Sequence, residues 1–464
     1  MLGGAGGSTP VQPGHGARHR PAETGTEQLT YTVRIDDALR HLEIELCPRG
    51  FRMEQLVAPS VGAQALLAGA KIITPEVDYS CPGESVDLVS LRRDECLHYG
   101  VQLGERAADP TSLRRVALDL LASPDLWLWM PSPLPEGLSI RARFALPEGV
   151  HAHLPWTRAG EEWQIPESAF RWKAAGAFSH APSRQLPIEG VDLRLAALNA
   201  GSLANAPAVE DWLVQGARTA SLLFGGFPVP RALVIAVPRD HSGPAFGMAL
   251  RGGGPAVVIL LDRQASAKDL ETDWTATHEF LHLGVPRLPP EDAWLFEGLA
   301  TYYTEVLRAR AGIISPEQAY QHLLDGFERG RSNFSGRTLR AESAQMRQRQ
   351  SFLRVYWAGA ALAFLTDVEA RRAGGPSLDD ALRGFAACCA SSEADWSAAS
   401  VLAQLDQRLG TRRFQNLSDI WLSRADFPEL AATLRALGVS TGAHDSAIFR
   451  VAPEAALRDA IMAR

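Results

Sequence analysis

Five residues and one distant carboxylate fix where two helices of this chain must meet. Residues 278–282 read His-Glu-Phe-Leu-His, and Glu297 follows fifteen positions after the second histidine, inside the stretch from Trp294 to Tyr303. On a helix, positions i and i+4 lie one above the other, so His278 and His282 can offer two imidazoles to one ion. Glu279 projects beside them, placed to handle a proton on a water rather than to bind the metal. A carboxylate from a following helix gives three protein ligands and leaves a fourth position open, the arrangement of a catalytic zinc site. The sequence therefore predicts one Zn2+ held by His278, His282 and Glu297. A structural site would fill the fourth position with Cys or His, and no such residue adjoins the motif. Trp274, Phe280, Leu281 and Leu283 supply apolar flanks, so the motif helix is expected at the buried floor of a cleft.

A chain of 464 residues is too long for one core and predicts several domains. Its net charge of −7 carries no basic excess, which argues against a nucleic-acid partner. No run reaches the eighteen apolar residues of a membrane span; the best, Ala256–Leu261 and Ala358–Leu365, have core length. Residues 1–27, rich in Gly, Pro and His, read as a disordered tail without the hydrophobic stretch of a secretory signal. The five cysteines (Cys47, Cys81, Cys96, Cys388 and Cys389) are an odd, sparse set without metal-ligand spacing. They predict a reducing compartment, cytoplasmic by default, with a Cys81–Cys96 bridge left open. A periplasmic or secreted location stays open if the natural N-terminus lies upstream.

Patterning predicts an α+β multidomain chain. Residues 28–172 carry short alternating strands, including Tyr31–Ile35, His41–Leu46, Leu126–Met130 and Leu138–Leu146, divided by Pro-rich turns. These suggest an antiparallel β-sandwich. Its tryptophans are assigned to packing rather than to a sugar-stacking surface. From 173 to 332 strands at Val191–Ala196, Arg231–Val237, Phe246–Arg251 and Pro255–Leu261 precede the motif helix and a helix near Ala293–Ala311. Residues 333–464 are helical apart from a polar, basic surface loop at 330–350, a candidate rim of the cleft.

The segment Trp294-Leu-Phe-Glu-Gly-Leu-Ala-Thr-Tyr-Tyr303 resembles the gluzincin metallopeptidases, above all the glycyl aminopeptidase family and more distantly aminopeptidase N. The strand from Tyr31 to His41 and the helix from Tyr356 to Arg371 also resemble that family. The resemblance implies an N-terminal β domain, a thermolysin-like zinc domain and trailing helices. It implies zinc ligation by His278, His282 and Glu297, Glu279 as general base and Tyr356 as a hydrogen-bond donor to the transition state. It implies a peptide or protein as the partner.

Two departures bear on specificity. Fourteen residues separate His282 from Glu297, about four fewer than in aminopeptidase N relatives, so the cleft wall there must differ. Relatives that trim N-termini hold the free amine with a carboxylate on a cleft strand, yet nothing acidic lies between Asp240 and Asp262. Gly247, Met248 and Arg251 become the candidate substrate contacts, with Arg251 facing a substrate carboxylate or carbonyl, or else solvent. Glu305 is a candidate partner for a ligand histidine, and His241 a candidate cleft residue. Two alternatives to a peptidase stay open: a non-catalytic zinc-containing peptide-binding protein, and a hydrolase of a non-peptide bond.

Overall fold

In the computed structural model, residues 27–67, 71–73, 78–80, 84–104, 107 and 109–463 are described. The expected tail, except its last residue, and Cys81 lie outside them. Alternating apolar side chains form a hairpin of β1 (Gln28–Ile35) and β2 (His41–Arg49): Leu29, Tyr31 and Val33 are buried, as are Leu42, Ile44 and Leu46 on the partner strand. This is the period of a half-buried sheet. β2 pairs onward with β3 (Leu97–Gln102), and β1 pairs on its other side with β4 (Ser139–Ala145) in parallel. The expected antiparallel sandwich is thus mixed: an eight-stranded sheet containing this parallel pair, accompanied by sheets of three and four strands.

Two local expectations change. The run Leu126–Met130, read as a strand, is a 3-10 turn at Pro124–Leu126 followed by buried coil, and pairing resumes only at Met130–Ser132. Buried backbone must be hydrogen-bonded, but a ladder is not the only way. Here the Tyr31 hydroxyl donates to the Trp129 carbonyl at 2.7 Å and the Tyr99 hydroxyl to the Trp127 carbonyl at 3.0 Å. Trp127, Trp129 and Trp156 are fully buried, in keeping with a packing role. The second change concerns cysteine. Leu46 faces Leu97 in the β2–β3 register, so Cys47 and Cys96 are the next pair along, and they are bonded. Cys388 is bonded to Cys389. The expectation of free thiols is corrected, and a Cys81–Cys96 bridge is excluded because Cys96 is already taken.

The sheet behind the motif contains β5 (Asp192–Ala197), β6 (Arg231–Arg239), β7 (Phe246–Leu250) and β8 (Ala256–Asp262). β5, β6 and β8 run parallel, and β7 lies antiparallel to β8 at the sheet edge. β6 and β8 are buried along almost their whole length, as strands covered on both faces must be. Helix α1 (Ala206–Phe224) packs on α2 (Thr275–His282), the motif helix, which also meets β7. α3 (Ala293–Arg310), α4 (Pro316–Ser332), two short helices α5 (Leu339–Ala344) and α6 (Met346–Arg349), and α7 (Phe352–Arg372) follow. The stretch expected to be a loop at 330–350 is therefore largely helical, with the Thr338 side chain capping α5.

α3 and α7 cross where Gly298 meets Gly359, and a Cβ on Gly359 would collide with the Trp294 carbonyl. Lacking a Cβ, the two glycines let the backbones approach closely enough to bring the N-terminal turns of α7 over the motif. One apolar core runs from Leu186 to Met462 and another from Leu29 to Phe178. Among the described residues no helix is long and apolar enough to cross a membrane.

Candidate active site

Every residue of α2 is buried, His278 and His282 each to 4 % exposure. Their rings meet edge to face at 4.8 Å, as i and i+4 neighbours on one helix face can. Glu297 enters from the second turn of α3. Its Oε2 lies 3.4 Å from His278 Nε2 and 3.2 Å from His282 Nε2. Tetrahedral ligation at about 2.0–2.1 Å places donor atoms roughly 3.3 Å apart. Both separations from Glu297 thus match ligation of one zinc ion, and the three donors lie within 4.8 Å of one another. The shortened connection does not prevent this, because the 3-10 turn Pro290–Asp292 leads directly into α3.

The surroundings orient these donors. Thr304 Oγ1 donates to the Ala300 carbonyl at 2.7 Å and lies 3.3 Å from His278 Nδ1. The hydroxyl can then accept only from a protonated Nδ1, which leaves the Nε2 lone pair for a metal. The candidate partner Glu305 does not fill this role. It pairs instead with His322 Nδ1 at 2.8 Å and Arg308 at 3.3 Å. His282 is held by stacking on Phe296, with ring centroids 4.0 Å apart, while its Nδ1 is buried without a hydrogen-bond partner among the described residues. His241 is exposed and lines neither cavity beside the histidines.

Glu279 is buried against β7. Burial pushes its carboxyl up to about 7, with Glu297 adding to the rise and His278 and the Ala249 backbone opposing it. The strand comes so close that a Cβ on Gly247 would sit 2.7 Å from Glu279 Oε1. Burial would also raise the Glu297 carboxyl, but attraction and hydrogen bonding from His282 and His278 outweigh it and hold it well below the usual carboxylate range. Tyr356 stands over His278 with near-parallel rings 6.2 Å apart. Burial, then Glu297 and Glu279, push its phenol well above the ordinary value, so it remains a protonated donor.

Arg251 is neither solvated nor directed wholly at the cleft. Its Nη2 donates to the carbonyls of His282 (3.1 Å), Leu283 (2.8 Å) and Val285 (2.7 Å). The last carbonyls of a helix lack intrahelical donors and draw cations. The expectation that Arg251 is held in reserve for substrate is corrected to this extent: one nitrogen is committed to capping the motif helix. Burial lowers its guanidinium to about 10.

Two cavities flank the ligand set. One, about 680 Å³, is walled by Trp274, His278, Phe352, Leu353, Tyr356 and Trp357. The other, about 490 Å³, includes Met248, Arg251, Phe296, Glu297 and Arg347. A cavity of about 780 Å³ beside α1 contains none of the ligand residues.

Residues 287–361, which include Glu297 and Tyr356, match the family described as M61 glycyl aminopeptidase. The fold is that of a zinc metallopeptidase. It is similar to an aminopeptidase N family protein from Idiomarina loihiensis, with TM-score 0.68 and 14% identity over 89% of this chain and 78% of that one. It is also similar to an M1 zinc metallopeptidase from Deinococcus radiodurans, with TM-score 0.51 and 18% identity over 87% of this chain and 94% of that one. A mutant of the Deinococcus enzyme bound to a Tyr-Ser-Ala substrate gives TM-score 0.52 and 17% identity over the same shares. No curated protein matches the chain in sequence. The gluzincin resemblance, the α+β multidomain class and zinc-dependent peptide hydrolysis all agree with these likenesses.

Proposed function

We propose that His278, His282 and Glu297 hold one zinc ion, and that Glu279 and Tyr356 work with it to cleave internal bonds of extended peptides. The observation that carries this reading is the convergence of three donor atoms at zinc spacing, with a buried carboxyl beside them and a protonated phenol opposite. When bound, zinc lowers the pKa of its water toward about 7 and polarises the scissile carbonyl. Glu279, buried beside the ligand set, would take the proton of the attacking water and return it to the departing amine. Tyr356 donates to the oxygen that gains charge in the transition state. The free edge of β7 offers backbone groups to an extended substrate. Gly247 and Met248 are the contacts on that edge, and Gly247 lets the strand lie directly on Glu279.

Ala249 meets Glu279 through its backbone, and β7 presents no carboxylate to an α-ammonium. This favours internal cleavage over N-terminal trimming. The chain divides, in this reading, into the β part 28–172, the zinc part 173–332 and helices 333–464 that share the zinc part's core. Its partner is a peptide or protein, with no nucleic-acid or membrane surface in its activity. The Cys47–Cys96 bond favours an oxidising compartment over the cytoplasm.

Mass-spectrometric digestion of a peptide library by the zinc-loaded protein tests the proposal. Internal cleavage abolished by a chelator is expected. Removal of single N-terminal residues only would overturn the specificity. The absence of any cleavage would favour the peptide-binding alternative.

A further inference from the structure

The cavity containing Glu297 has an unusual charge balance. Lys173, Arg251, Arg287 and Arg347 line it, and Glu297 is the only carboxylate among the lining residues. Since Glu297 belongs to the donor set, its charge is committed to the ion. Lys173 is balanced by Asp109, 2.5 Å away. The other three cations have no carboxylate within ion-pair distance among the described residues. Arg251 donates to carbonyls, Arg287 lies 5.7 Å over the Trp172 ring with Asp395 and Glu291 acting on it only at longer range, and Arg347 stands exposed on α6.

These cations come from separate segments: the strand edge, the α2–α3 connection and α6. Arg347 is close enough to influence both Lys173 and Tyr356, so the cationic wall reaches from the β part to the catalytic phenol. A solvated surface arginine needs no partner. Here, however, several cations share one concavity, one of them is partly buried, and another lies over an indole. Guanidinium groups fixed in this way are suited to bind a carboxylate. An α-ammonium in the same cavity would be repelled.

We infer that this cavity is a carboxylate subsite, and that the substrates are peptides carrying a carboxylate within two residues of the scissile bond. The carboxylate is either an Asp or Glu side chain or the C-terminal group of a short peptide. The inference rests on the peptidase reading for the identity of the ligand, and on the cavity's own charges for its sign. Arg287 and Arg347 are the anion contacts. Arg251 adds charge while holding the motif helix in place.

Three matched peptides test it: one with glutamate beside the scissile bond and a C-terminal amide, its glutamine counterpart, and the glutamine peptide with a free C-terminal carboxylate. Their affinities are measured on zinc-loaded Glu279→Gln and their cleavage on zinc-loaded wild type. One of the two carboxylate peptides should exceed the neutral peptide roughly tenfold in affinity and in kcat/KM, and which one does so identifies the source. Added salt should reduce that ratio. In the double variant Arg287→Gln/Arg347→Gln it should fall to within about twofold of unity. Equal binding and cleavage of all three peptides by the parent protein would overturn the subsite while leaving the peptidase reading intact. Preferential binding without cleavage by wild type would overturn the peptidase reading and leave the anion site standing. A ratio unchanged in the double variant would overturn the assignment of Arg287 and Arg347.

Discussion

The two walls of the cleft differ in how far they follow the pattern of the proteins they resemble. On the helical wall, α2, α3 and α7 bring every expected chemical group together: two imidazoles, a carboxylate, a second buried carboxyl and a phenol. On the opposite wall, β7 lies at the sheet edge without a carboxylate, and the cavity beside it is cationic. The contrast teaches that the reaction and the substrate are specified separately. The first depends on donor atoms at fixed spacing, and the second on side chains that can change sign without moving the backbone.

The comparison can be broken first on the helical wall. Glu297→Ala should lose most bound zinc, read by metal analysis after dialysis, and with it peptide turnover; full occupancy would place the third ligand elsewhere. Tyr356→Phe should lower kcat by about 10²–10³ with little change in KM, measured by steady-state kinetics. Gly359→Ala should destabilise the protein by about 1–3 kcal/mol, read by denaturant titration, because a methyl group would force α7 away from α3. On the strand wall, Ala249→Glu should raise trimming of a free N-terminus relative to internal cleavage by roughly tenfold, scored by product analysis.

The smallest effect is a pH dependence of stability at the far side of the cavity beside His278 and Tyr356. The hydrogen bond that His322 donates to the Glu305 carboxylate raises the His322 pKa above its ordinary value against the opposing effect of burial, and Asp445 assists. A raised folded-state pKa gives stability that is fully present below about pH 6.5 and is lost as pH rises through the folded value. The melting-temperature advantage of wild type over His322→Gln should therefore be larger at pH 6 than at pH 9.

What the sequence revealed follows from the range of each interaction. His278 and His282 are legible because i,i+4 geometry is local, and the helix read from Tyr356 to Arg371 lies within α7. β1 and β2 announced themselves by alternation. The misses are nonlocal. Cys47 finds Cys96 only once the β2–β3 register is known, and Arg251 finds its carbonyls only once the end of α2 lies beside the sheet. Thr304 orients His278 from two turns beyond Glu297, where Glu305 offered the stronger signal by residue type alone. Leu126–Met130 has strand-like composition, but its buried backbone is satisfied by tyrosine hydroxyls. Arg347 lies in the basic segment read as a candidate rim of the cleft, but no periodic apolar pattern there singles it out.

The central claim is that Glu279 is the base beside a zinc held by His278, His282 and Glu297. Its most direct test is Glu279→Gln, with zinc content and peptide turnover measured on the same preparation. The account predicts one zinc per chain and a kcat lowered by about 10²–10⁴. Full zinc occupancy with wild-type turnover would contradict it.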